Sequence, residues 1–246
     1  MVLPEIPVKP TRVNPKILVL YGLPKVGKTK KLSELQGNLV VDMEDGAAYY
    51  ECLRVTITKT EGLDELYEAI MAEGKKRVAA GKKGEDLFPY KYISLDTVDA
   101  LEDMASKSST VKYKKTTIGK NFEGESVIEL PNGGGYYYLR KEVMDTLLKI
   151  SKVCKGLIII SHVKEKNLSK GGMDVSVRDI SLTGKLGQIV CARADAIGYV
   201  FRNADGPLMV SFETMDNAAV MGGRCEHLKG KTMEFKWEDI YLPEVA

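Results

Sequence analysis

Residues 17–31 read ILVLYGLPKVGKTKK: an apolar run, a glycine turn, then Lys28 and Thr29. Gly22-x-x-x-x-Gly27-Lys28-Thr29 is a complete phosphate-loop pattern, with a strand-like stretch before it and the helical positions Leu32 and Leu35 after it. The chemistry needs these residue types. Glycines let the backbone curl so that successive N–H groups point at one phosphate, the lysine supplies a point charge, and the hydroxyl reaches a metal ion. Gly22, Leu23, Pro24, Lys25, Val26, Gly27, Lys28, Thr29 and Lys30 are therefore candidate ATP-binding residues, with ATP and Mg2+ as the implied cofactors. A second Gly-Lys-Thr, Gly230–Thr232, fails the pattern because position 225 is Cys rather than Gly.

Working outward, ILVLYG is followed by further short apolar stretches: NLVVDME, YKYISLD, GLIIISH and ADAIGYVFR. ILVLYG and the first three of these are nearly continuous in apolar character, which suits a parallel sheet covered on both faces. Helical spacing fills the gaps at Gly62–Ala80 and in YYYLRKEVMDTLLKISK, where Leu139, Val143, Leu147 and Ile150 fall on one face. After Arg202 come short strand-like pieces separated by turns. The expectation is an α/β fold, a mostly parallel twisted sheet flanked by helices with a β-rich C-terminal end. Residues 16–246 are expected to form one domain, preceded by an extended, proline-bearing arm over 1–15.

At 246 residues, 44% hydrophobic and 28% charged, the chain has the profile of a soluble globular protein. No apolar run approaches the roughly 20 residues of a membrane span, and the N-terminus has no signal-peptide core. Four scattered cysteines form no CxxC, and they read as reduced small residues. These features point to the cytoplasm.

Two acids complete a phosphate site. YKYISLD ends on Asp96, followed by Thr97, which is the Walker B arrangement for holding Mg2+ together with Thr29, the carboxylate acting through water. NLVVDMEDG brings Asp42, Glu44 and Asp45 to the end of the next strand, where a carboxylate could activate the attacking water or simply be a solvated turn. Two stretches fit neither strand nor helix on this reading. Residues 104–121 hold five lysines and no acid, and residues 164–185 are polar and basic. Both read as long loops, functional or simply solvated. Tyr49 and Tyr50 read as core residues, with stacking on adenine as the alternative.

The order of these motifs resembles the RecA-like recombinase core, over roughly residues 16–240. VVDMEDGA resembles the strand carrying that family's catalytic glutamate, which places it at Glu44, and ISLDTVDAL resembles its Walker B. LIIISHVKEK puts His162 where the family has a γ-phosphate-sensing glutamine. RCEHLKGKTMEF resembles the hairpin whose lysines reach the neighbouring subunit's ATP, implying Lys229 and Lys231. Within the family, the likeness is greatest to small phage single-strand annealing proteins of the Sak type. The resemblance implies a RecA-like fold with Lys28, Glu44 and His162 as catalytic residues.

It also places the two basic stretches at the family's DNA-binding loops. Lys107, Lys112, Tyr113, Lys114 and Lys115 would act in the first, and Lys164, Lys166, Arg178 and Lys185 in the second. KYKK sets an aromatic among cations, as single-strand binding by phosphate neutralisation and base stacking requires. The implied activity is a DNA-stimulated ATPase that assembles on single-stranded DNA as a filament or ring and promotes strand pairing. A single-strand-binding protein is a further candidate partner, and a phage chain would act in host cytoplasm. A hexameric helicase or packaging motor, and a P-loop small-molecule kinase, stay open as alternatives.

Overall fold

The computed structural model describes residues 6–170, 173–203, 206–214 and 220–243, with backbone alone over 166–170 and 173–176. In chain order the elements are β1 (Ile17–Gly22), α1 (Lys28–Glu34), β2 (Asn38–Asp42), β3 (Leu53–Thr56), α2 (Thr60–Ala79), β4 (Tyr92–Asp96), α3 (Val98–Lys114) and α4 (Gly135–Lys152). There follow β5 (Gly156–Lys170), β6 (Met173–Ile180), α5 (Leu186–Arg193), β7 (Ala196–Arg202), β8 (Leu208–Ser211), β9 (Gly222–Gly223), β10 (Thr232–Glu234) and α6 (Trp237–Ile240). Among the described residues the strands run β10-β8-β7-β1-β5-β4-β2-β3, with β6 paired to β5 and β9 to β7. From β7 to β3 every neighbouring pair is parallel, and the later strands β8 and β10 add antiparallel. The fold is thus mixed α/β, a mostly parallel sheet flanked by helices and ending in β-rich structure.

The continuous apolar strands have a direct cause. Val19, Tyr21, Leu157 and Ile159 point into one core with α2, α3 and α4, while Leu18, Leu20, Ile158 and Ile160 point into another with α1 and the C-terminal Phe235, Trp237 and Ile240. A strand covered on both faces has no solvated side to mark with polar residues. Leu139, Val143, Leu147 and Ile150 are all buried. Cys154, Cys191 and Cys225 are free and buried, and burial pushes their thiols up to about 12, about 12 and about 11.

Both basic stretches are more ordered than loops. Residues 104–114 continue α3, whose Met104, Ala105, Ser108, Ser109, Thr110 and Tyr113 are buried. The Ser109 and Thr110 hydroxyls donate to the Ser106 carbonyl, so polar-looking residues are satisfied inside the helix. Residues 163–170 and 173–180 pair antiparallel as the two legs of a β-hairpin, with register from Val163↔Ile180 to Lys170↔Met173. Lys164, Lys166 and Lys170 fall on alternate positions of the outgoing leg, the period of a strand.

Candidate nucleotide site

Parallel register brings the carboxyl ends of the strands together. Gly22 lies opposite His162, and Asp42 opposite Asp96. A crevice at that edge of an α/β sheet is where such folds bind ligands. Here it is a cleft of about 490 Å³ lined by the phosphate loop, Glu44, Gly46, Tyr49, Tyr50, Asp96, Thr97 and His162.

The loop's glycines are required sterically. A Cβ on Gly22 would stand 2.3 Å from the Val200 carbonyl oxygen, and Gly27 has φ of 117°. Lys28, at the start of α1, donates to the carbonyls of Gly22 and Leu23, each at 2.9 Å, which folds its ammonium over the loop. Burial lowers its pKa, against the attraction of Asp96, Asp99 and Glu44. Arg202, at the end of β7, also braces the loop, donating from Nε to the Val26 carbonyl at 3.1 Å. Nothing in the sequence pointed to that arginine.

Thr29 Oγ1 donates to Asp96 Oδ2 at 2.7 Å, so hydroxyl and carboxylate converge across the cleft. Burial raises the Asp96 carboxyl, and the bond from Thr29 opposes the rise. Two hard oxygens at this point fit Mg2+, which takes one or two protein oxygens and completes its shell from phosphates and water.

The acidic turn after β2 divides its carboxylates by role. Asp42 is fully buried and accepts the backbone N–H groups of Glu44, Gly46 and Ala47 at 3.2, 3.1 and 2.9 Å. It shapes the turn. Glu44 instead projects over the cleft, where Oε1 accepts from the Thr97 hydroxyl at 3.0 Å and Oε2 lies 3.8 Å from His162 Nε2. Thr97 Oγ1 also accepts from Ala100 N at 3.3 Å, capping α3. His162 in turn donates its backbone N–H to Asp99 Oδ2 at 3.1 Å.

Other sequence-derived candidates fall elsewhere. Tyr49 and Tyr50 are not core residues. Tyr49 is 87% exposed, and the short helix Gly46–Tyr49 sets both rings at the cleft mouth because Asp42 pins the turn beneath them. Lys229 and Lys231 are exposed on the turn before β10 and do not line this chain's own cleft. Tyr113 is no free stacking surface, being 8% exposed with its ring against Phe122 at 5.6 Å and Tyr138 at 5.0 Å. The helical turn carries its side chain inward while Lys112, Lys114 and Lys115 face out.

Lys107 and Lys115 are exposed, Lys112 pairs with Glu142 at 2.5 Å, and Lys114 lies over the Phe122 ring. On the hairpin, Lys164 donates to the Leu182 carbonyl, and Arg178 covers the Tyr199 ring and faces Glu165. Lys185 is exposed, and the Lys166 side chain lies outside the described residues.

A strand, a glycine turn with Lys28 and Thr29, and a carboxylate facing that threonine from β4, on the far side of β5 in the sheet, define a P-loop ATPase domain. Residues 14–226 match the family model described as AAA domain, and the chain belongs to that family. No curated protein matches the chain. Among solved structures, one described as the RadB recombinase is similar at 12% identity and a TM-score of 0.43, over 93% of this chain and 90% of that one. No described helix is long and apolar enough to cross a membrane.

Proposed function

We propose that this chain is a DNA-stimulated ATPase that assembles on single-stranded DNA and promotes strand pairing, of the kind found in phage single-strand annealing. The observation that carries this reading is the short path from the cleft to the two basic elements. Glu44 bonds Thr97, which caps α3, and faces His162, which opens the β5–β6 hairpin. A small-molecule kinase has no use for such links to two lysine-bearing surfaces.

In this reading the loop N–H groups and Lys28 hold the nucleotide phosphates, Thr29 and Asp96 hold Mg2+, and Tyr49 and Tyr50 flank the base. When bound, the metal supplies charge neutralisation at the phosphates. Glu44 orients the attacking water and takes its proton as the water oxygen bonds to the γ-phosphorus and the bridging P–O bond breaks. His162 reports the γ-phosphate to the hairpin. Lys229 and Lys231 complete the site of a neighbouring subunit, with the arm over 1–15 available to tether copies. Lys107, Lys112, Lys114, Lys115, Lys164, Lys166, Arg178 and Lys185 neutralise DNA phosphates.

The test is steady-state ATP hydrolysis with and without single-stranded DNA, at low and moderate salt. Stimulation by single strands, abolished in Lys28→Ala and weakened by salt, is the expected result. An unchanged rate together with no DNA binding at low salt overturns the reading and turns attention to small phosphate acceptors.

A further inference from the structure

Helix α3 begins two residues after Asp96 and meets both legs of the hairpin at their roots. Asp99 and Glu102 lie three residues apart and therefore on one helical face. Asp99 Oδ2 accepts the N–H of His162, where the outgoing leg leaves the sheet. Glu102 is 8% exposed, and both its oxygens accept the N–H of Thr183 at 3.1 Å, just past the end of β6. Between these two points the legs are stitched together: Ser181 N donates to the His162 carbonyl at 2.9 Å and to Ser161 Oγ at 3.3 Å.

Among the described residues, Asp99 Oδ1 and His162 Nδ1 in this corner are buried without a hydrogen-bond partner, although the Ser161 hydroxyl also lies against the Asp99 carboxylate. Buried polar atoms are rarely left so without a reason. They belong to two residues already joined through Asp99 Oδ2. A bond between them would turn the imidazole and re-aim Nε2, the nitrogen facing Glu44. Burial and the neighbouring Asp99 and Asp103 charges meanwhile make Glu102 an expensive carboxylate to keep here, unless its bonds to Thr183 hold something in place.

We propose that Asp99 and Glu102 are positioning residues that clamp both roots of the β5–β6 hairpin to α3, so that nucleotide at the Asp96–Thr97–Glu44 corner orders the hairpin, with Asp99 Oδ1 accepting His162 Nδ1–H in the nucleotide-bound state. This rests on reading the cleft as a nucleotide site, and it does not require the hairpin's ligand to be DNA. Neither residue touches the reacting atoms. Their effect is on what the hairpin does when the cleft fills.

Hydrogen exchange on the full chain tests this, without nucleotide, with ADP and Mg2+, and with a non-hydrolysable ATP analogue and Mg2+. In the wild type, the amides of Val163, Ser181 and Thr183 are expected to slow by about tenfold with the analogue, the scale of one bond to a charged group. In an Asp99→Ala/Glu102→Ala variant, binding of a fluorescent ATP analogue stays within about threefold of wild type, as for a change outside the binding groups, and the hairpin's slowing disappears. If that variant does not fold, Asp99→Asn with Glu102→Gln replaces it, and a weakened response is then expected.

Variants that respond like the wild type overturn the proposal, and so does a wild-type hairpin indifferent to bound nucleotide. A wild type that binds no nucleotide sinks the reading of the cleft and this inference with it. A hairpin that responds to nucleotide in a chain that never binds single strands supports the clamp and removes only the DNA reading.

Discussion

Asp42 and Glu44 stand two residues apart in one acidic turn, and their environments separate them. Asp42 is sealed in the core and satisfies three backbone N–H groups, so Asp42→Ala strands those donors. The expected cost is about 3 kcal/mol of stability, read from urea unfolding. Glu44→Gln keeps the shape and should stay within about 0.5 kcal/mol of wild type, bind nucleotide, and hydrolyse it about 100-fold or more slowly. Equal stability losses in the two variants would contradict this division. The sequence placed Glu44 in the cleft by resemblance but could not say which acid builds the turn. That depends on which carboxylate the β2–β4 register buries.

At the scale of elements, α3 is where periodicity misled. Its inward positions carry Ser108, Ser109, Thr110 and Tyr113, residues that look like loop until a neighbouring helix covers them. Tyr113→Ala is therefore expected to cost about 3 kcal/mol through lost packing against Phe122 and Tyr138. Lys114→Ala and Lys115→Ala should cost next to nothing in stability, and each should lower the salt slope of single-strand binding by about one. A Tyr113→Ala protein as stable as wild type but weak on DNA would restore the stacking role. The hairpin was hidden for a related reason: among the described residues, its legs pair with each other beyond the sheet's edge rather than with a core strand.

Across the whole molecule, the nucleotide edge concentrates carboxyls held above their ordinary range. Burial raises Asp96, Asp99 and Glu102 alike. Between the ordinary carboxylate range near ~4 and the raised values, the folded chain binds more protons than the unfolded one. Stability from these groups therefore falls as pH rises through that window and is regained as pH falls. Comparing urea midpoints of wild type and Glu102→Gln at pH 7 and about pH 5 isolates one of them, because glutamine does not titrate. The difference should move in favour of the wild type at the lower pH. A gap that stays constant, or moves the other way, would mean that Glu102 is not held above its ordinary range.

The phosphate loop, the five core strands and the amphipathic α2 and α4 were legible in the chain because each is written locally. Glycine spacing, unbroken apolar runs and a 3.6-residue repeat need no knowledge of what lies across the sheet. The bracing by Arg202, the exposed Tyr49, the buried Tyr113 and the contacts of Asp99 and Glu102 with the hairpin roots came only with the assembled sheet. Each joins residues far apart in sequence or turns on which side of an element is covered, and strand register and helix packing decide both.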